Sequence, residues 1–227
     1  MKNKPELVIF DLAGTTVEDN HDVGRVLKMA MENFHMPVTI QQADAVMGIP
    51  KPLAIERLLK QHFHPDITPD LISEIHEIFI RCMIDFYRYD NSVREKEGVW
   101  ETFTKLREEN IKIAVDTGFD RTITNALLER LGWLDAPLID SSVTSDEVEQ
   151  GRPYPDLVFE AMKRTGISDA SRVAKVGDTS FDIQEGKSAG CGWVIGITTG
   201  AFSEVDLAKE NPTHLIRSIS ELQQIFL

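Results

Sequence analysis

Cysteine is scarce: Cys82 and Cys191 are the only two in 227 residues. Two isolated thiols exclude a disulfide framework and point to a reducing compartment, the cytoplasm by default. Positive charge is also short. Lys and Arg total 24 against 37 Asp and Glu, a formal net charge of −13 that argues against a nucleic-acid partner. An anionic substrate therefore needs local positive charge from a metal or a few cations. No apolar run approaches the length of a membrane span, so no membrane partner is expected. The opening Met1-Lys2-Asn3-Lys4-Pro5-Glu6 lacks the pattern of a signal peptide. There is no internal repeat and no low-complexity segment. What remains, 42% hydrophobic and 27% charged, is the composition of an ordinary globular chain. Its length suits one large domain, or a core carrying a smaller insertion.

The most informative stretch is Leu7-Val8-Ile9-Phe10-Asp11-Leu12-Ala13-Gly14-Thr15-Thr16. A continuous, bounded apolar run reads as a buried parallel strand, which puts Asp11 at its carboxyl end, where open α/β sheets bind ligands. A carboxylate there can attack phosphorus, and the Gly-Thr-Thr turn is expected to offer backbone N–H groups to phosphoryl oxygens. Ala13 stands where a second carboxylate would be expected. Helical spacing then predicts helices over 22–35, 40–47, 52–63 and 68–89 with no strand between them. From Gly98 the pattern alternates: helix 98–109, strand 111–117, helix 121–131, a strand within 137–143, helix 156–165, strand 173–176, helix 181–189 and strand 193–197. Helices from Glu204 and Ile219 close the chain. Repeated β-α pairs imply a doubly wound parallel α/β sheet with right-handed crossovers. The expected division is a core of residues 1–17 and 92–227 and an inserted all-helical cap of residues 18–91.

Three further strand ends converge with Asp11. Ile113-Ala114-Val115-Asp116 runs into Thr117-Gly118, a hydroxyl and an N–H for an oxyanion. Gly151-Arg152-Pro153-Tyr154-Pro155 supplies a cation whose guanidinium can hold phosphoryl oxygens in bidentate fashion. Lys175-Val176-Gly177-Asp178-Thr179-Ser180-Phe181-Asp182 closes a strand on two carboxylates. Mg²⁺ takes few carboxylates plus water and substrate oxygens; Asp11 and Asp178 suit it, with Asp182 less direct.

In this order and at these positions, the four elements resemble the haloacid dehalogenase superfamily across nearly the whole chain. With Met47-Gly48-Ile49-Pro50-Lys51, they resemble in particular its phosphonatase (phosphonoacetaldehyde hydrolase) family. The resemblance implies a Rossmann-like core with a helical cap and a Mg²⁺ site drawn from Asp11, Ala13, Asp178 and Asp182. It also implies Asp11 and Lys51 as catalytic residues and Thr117, Gly118 and Arg152 as phosphate-binding ones. The family's mechanism uses an aspartyl-phosphate and a cap lysine that forms an imine with the substrate aldehyde, so that Ala13 need not act as an acid. Lys51 matches that lysine. With Pro52 suited to the first helical position, Lys51 is expected at the N-cap, where helix dipole and lid both favour a neutral amine. The family's histidine three residues beyond is Ala54 here, its tyrosine after the second-motif glycine is Phe119, and its early cap cysteine aligns with His21. His21 is read as a replacement acid/base or as a solvated hinge residue. His35, His62, His64, His76 and His214 show no metal-ligand spacing, and His62 and His64 read as loop or helix-end residues.

The expected function is Mg²⁺-dependent hydrolysis of a small anionic organophosphorus compound, phosphonoacetaldehyde in type. The alternatives are a phosphate monoesterase acting on a sugar or acid phosphate, or a phosphometabolite-binding protein without turnover. A homodimer through cap helices is what the resemblance suggests.

Overall fold

All five residues of the first strand, β1 (Leu7–Asp11), are buried, which is why the sequence shows no polar alternation there. Val8 and Phe10 join one hydrophobic cluster while Leu7 and Ile9 join another, so each face of the sheet is covered. The computed structural model describes residues 4–63, 67–134 and 138–227. Its sheet has six parallel strands in the order β3-β2-β1-β4-β5-β6: β2 (Lys112–Thr117), β3 (Ser141–Thr144), β4 (Val173–Gly177), β5 (Trp193–Ile197) and β6 (His214–Ile216). This is the doubly wound arrangement expected from the β-α alternation. Its switch point lies between β1 and β4, where the crossovers leave in opposite directions and open a crevice at the carboxyl ends.

Four helices follow β1 without an intervening strand: α1 (Asp22–Glu32), α2 (Ile40–Asp44), α3 (Lys51–His62) and α4 (Pro69–Tyr89). Each start has a local cause. Thr39 forms a capping box with Gln42, and Thr68 caps α4 through the Leu71 N–H with Pro69 behind it. Helix α3 begins one residue earlier than expected: Pro50 is the N-cap and Lys51 the first helical residue. The long α4 packs on α6 (Arg121–Leu131) of the β-α series, tying the inserted helices to the sheet. The remaining helices are α5 (Val99–Glu108), α7 (Asp156–Thr165), α8 (Ser180–Ala189), α9 (Glu204–Lys209) and α10 (Leu222–Phe226).

The outgoing and returning chains lie side by side. Val17 bridges both Ala13 and Glu95, Glu18 N–H donates to Arg94 O (3.0 Å), and Lys96 N–H donates to Thr16 O (2.9 Å). The strand expected within 137–143 is Ser141–Thr144, ending one residue past that window; Pro137 lies outside the described residues, as does His64. Strand β6 had no counterpart in the sequence reading. Among the described residues no helix is long and apolar enough to cross a membrane.

Candidate active site

Carboxylates converge at the switch point and outnumber the cations beside them. Asp11 ends β1, Asp116 lies in β2, Asp178 follows β4, and Asp182 and Glu185 project from α8; all are buried. Against them stand two buried cations, Arg152 and Lys175. The Arg152 guanidinium donates from Nη1 to Asp11 Oδ1 (2.7 Å) and from Nε to Glu185 Oε2 (3.0 Å). From Nη2 it donates to the Asp116 carbonyl (3.1 Å) and carboxylate, and Nη1 also lies 3.4 Å from Gly48 O. Its fork is therefore filled by protein oxygens. The expected bidentate grip on phosphoryl oxygens gives way to a narrower role, orienting Asp11 and presenting charge beside it. Lys175 lies behind, paired with Asp116, Asp182 (3.2 Å) and Glu185 (3.1 Å).

These pairings sort the carboxylates. Burial works against ionisation of Asp182, yet Arg152 and Lys175 hold it below the usual range. Burial lifts Glu185 to about 8, with Asp116 adding to the effect. Burial raises Asp11 to about 6 even with Arg152 alongside, and raises Asp178 to about 8, with Asp11 and Asp182 contributing. A pair of facing carboxylates that resist ionising together marks unbalanced negative charge.

That imbalance is the test of whether a metal fits. One buried group with metal-like spacing is Asp11, Asp116 and Asp182, but Asp116 and Asp182 are already engaged by Arg152 and Lys175. Asp178 is held by hydrogen bonds from Thr15 Oγ1 (2.8 Å) and Ala201 N–H (2.7 Å), with no cation as partner among the described residues. A Cβ on Gly14 (φ +90°) or on Gly200 would overlap its carboxyl group, so these glycines keep it in place. Asp11 and Asp178, hard oxygen donors lacking full charge compensation, suit Mg²⁺, and Ala13 can add only its carbonyl oxygen.

The turn after β1 departs from expectation. Gly14 N–H donates to Val17 O (2.9 Å), and Thr15 and Thr16 N–H both donate to Leu12 O (3.2 and 2.9 Å). These donors close the turn and are not free for a phosphoryl group. Thr117, at the end of β2, accepts from Phe119 N–H (3.2 Å), which leaves its hydroxyl proton able to donate. Gly118 packs so closely on the Ile49 carbonyl that a Cβ would lie 2.8 Å from it.

Asp11, Ala13, Thr117, Gly118, Arg152 and Asp178 line one cleft with Asp19, Val23, Met47, Gly48, Lys51 and Phe119. Its volume is about 30 Å³, room for roughly two waters. Lys51 is buried and has no ion-pair or hydrogen-bond partner among the described side chains; its Nζ lies 5.1 Å from the Phe119 ring centre and 5.8 Å from that of Phe79. Burial lowers it to about 8 against the pull of Asp11 and Asp19. Desolvation, one of the two causes expected, is the largest, and Lys51 stands at the first helical position instead of the N-cap.

Not every expected residue comes to this cleft. Ala54 is packed in the core, and His21, left-handed at φ 60° and largely exposed, pairs through Nδ1 with Asp44 Oδ2 (2.8 Å) beside a neighbouring cavity. His62 ends α3, as read from sequence. Asp116, Lys175, Glu185 and Asp19 were not singled out beforehand. For three of them a signal existed: a charge inside an apolar strand, or one helical turn beyond Asp182, implies a buried partner.

A sequence model of the haloacid dehalogenase-like hydrolases matches residues 8–195, and the chain belongs to that family. It is a hydrolase. Within the family it is similar to phosphonoacetaldehyde hydrolase of Bacillus cereus, at 31% identity covering 99% of this chain and 89% of the relative. Its fold is that of a hydrolase from Pseudomonas syringae, with TM-score 0.86, 21% identity and 96% of each chain covered. The same fold occurs in a phosphonoacetaldehyde hydrolase-like protein from Oleispira antarctica, with TM-score 0.84, 20% identity and 99% and 92% coverage.

Proposed function

We propose that the chain is a Mg²⁺-dependent, phosphonatase-like hydrolase of a small organophosphorus aldehyde, in which residues 18–91 act as a cap over a core of residues 1–17 and 92–227. The observation that carries this reading is Lys51, buried without a carboxylate partner in the same cleft as Asp11 and lowered to about 8. A buried amine of that kind is suited to attack a carbonyl. Asp11 attacks phosphorus with Arg152 orienting it, while Thr117 and Gly118 donate to phosphoryl oxygens. Mg²⁺ held by Asp11, Asp178 and the Ala13 carbonyl would offset phosphoryl charge, with Asp182 acting through Arg152 and Lys175. Lys51 condenses with the aldehyde, releasing water, to a protonated imine. The electrons of the breaking C–P bond flow into that iminium to leave an enamine, so no oxygen leaving group needs a proton. Protonation of the enamine carbon followed by hydrolysis releases the dephosphorylated aldehyde and restores Lys51. Water then hydrolyses the phosphorylated Asp11. In this reading the cap closes over bound substrate and excludes water. A cytoplasmic location and a homodimer through cap helices belong to the same reading.

Borohydride trapping tests it. Reduction in the presence of phosphonoacetaldehyde is expected to fix an adduct on the Lys51 peptide, found by mass spectrometry, and none without substrate. Phosphate release from several monoesters with no adduct would reject the imine route. Because the buried ammonium must lose its proton before it can attack, the rate of adduct formation should rise about tenfold per pH unit below about 8 and level off above it. A flat profile would contradict an unprotonated Lys51 as the attacking group.

One feature favours a phosphate monoesterase instead. Phe119, buried against Lys51, has no hydroxyl to shuttle protons, and Ala54 is packed away from the cleft. The two readings diverge on Ala13→Asp. Under the phosphonatase reading, a carboxylate restored there supplies the missing acid, and monoesterase activity should rise on the order of tenfold or more. An unchanged rate against a panel of monoesters would remove Ala13 from the explanation.

A further inference from the structure

The carbon end of the cleft contains a carboxylate that the mechanism above does not use. Asp19 lies between β1 and α1 and lines the same cleft as Lys51 and Phe119. Its Oδ1 accepts from the Asp22 N–H (2.6 Å) and the Val23 N–H (3.2 Å), the turn that launches α1. No Lys or Arg pairs with it among the described residues. Its acidic neighbours have partners of their own, Asp22 with Arg25 and Asp44 with His21. Asp19 is partly buried, with Asp22 and Asp44 adding like charge and with Lys51 and Lys96 as the cations that feel its field.

We infer that Asp19 is a specificity-determining residue: its carboxylate favours organophosphorus substrates whose carbon end is uncharged, an aldehyde or an alcohol, and disfavours those ending in a carboxylate. The inference rests on the reading that Asp11 and its neighbours take the phosphoryl group, which directs the remainder of the substrate toward Asp19, Val23, Met47 and Lys51. Imine formation needs Lys51 as a neutral amine, and Asp19 is then the formal charge left at that end. A carboxylate brought beside it meets like charge in a partly desolvated space, whereas a carbonyl does not.

Two isosteric analogues separate the possibilities: phosphonoacetamide, neutral at its carbon end, and phosphonoacetate, charged there. Their dissociation constants for the full-length protein with Mg²⁺ are measured by calorimetry at about pH 9.5, where Lys51 is mostly the neutral amine. The wild type is expected to bind the amide at least about tenfold tighter. Asp19→Asn keeps an oxygen for the Asp22 and Val23 N–H groups but removes the charge, and should close that gap by strengthening phosphonoacetate. Asp19→Ser retains the capping role in another geometry and should behave alike; thermal unfolding verifies that each variant is folded. Equal or tighter binding of phosphonoacetate by the wild type, or a preference unchanged in both variants, would overturn the assignment of Asp19. If methylphosphonate, which has no carbon-end group, also fails to bind, the underlying placement of the phosphoryl group fails and the inference falls with it.

Discussion

Asp11→Asn should reduce turnover of any organophosphorus substrate by ~10³-fold or more while the protein stays folded. The amide keeps the shape of the carboxyl group and can still accept from Arg152 Nη1, so the cluster at the switch point loses the carboxylate proposed to attack phosphorus without gaining a cavity. Removing one of several crowded negative charges should leave stability unchanged or slightly higher, since burial already lifts Asp11 to about 6. Steady-state phosphate release and a urea melt on the same preparation check both halves. Turnover within tenfold of wild type would mean that Asp11 is not the attacking group. Tight binding of a phosphonate analogue by the inactive variant would separate loss of chemistry from loss of the site.

Arg152→Met should have the largest effect on stability. The guanidinium is buried and contacts Asp11, Asp116, Asp182 and Glu185 at once. Lys175 cannot compensate all of them; its partners are Asp116, Asp182 and Glu185, and Asp11 is not among them. Leaving buried carboxylates without a cation costs about 3–5 kcal/mol, a large part of the total stability of an ordinary domain. The urea midpoint should fall accordingly and activity should be lost. Arg152→Lys restores a charge but not the planar fork, so it should recover part of the stability and little of the activity. An unfolding free energy for Arg152→Met within about 1 kcal/mol of wild type would show that the cluster is neutralised by other means.

What could be read from sequence follows from how strongly each element is buried. β1, flanked by β2 and β4, declares itself by five consecutive buried residues, and Asp11 is found because it interrupts them. The strands misjudged or missed, β3 and β6, are the two edges of the sheet. Ser-Ser-Val-Thr and His-Leu-Ile are short and half exposed, and an edge strand needs no continuous apolar run. The same distinction governs the site. The strand-end motifs are contiguous in sequence and could be found there. The N–H groups of Gly14, Thr15 and Thr16 looked available because a turn's internal hydrogen bonds leave no trace in residue identity. Arg152 was legible as a cation but not as one already satisfied, since its partners come from β1, β2 and α8. Asp19 had no signature at all, being one acid among many until the chain brings it to the cleft that Lys51 lines.

The backbone bonds of Val17, Glu18 and Lys96 place the departure and return of the helical segment on neighbouring strands. With its attachment points side by side, the segment adds only about 0.6 kcal/mol of closure cost for each doubling of its length. It could be exchanged for a different one without disturbing how β1 is seated in the sheet. Asp11, Thr117 and Asp178 line the cleft from the ends of sheet strands, whereas Val23, Met47 and Lys51 line it from the helical segment between the paired tethers. Under the proposed function, variation in that segment would change both which carbon skeletons are accepted and whether an amine stands ready to meet them, while Asp11 kept its place in the sheet.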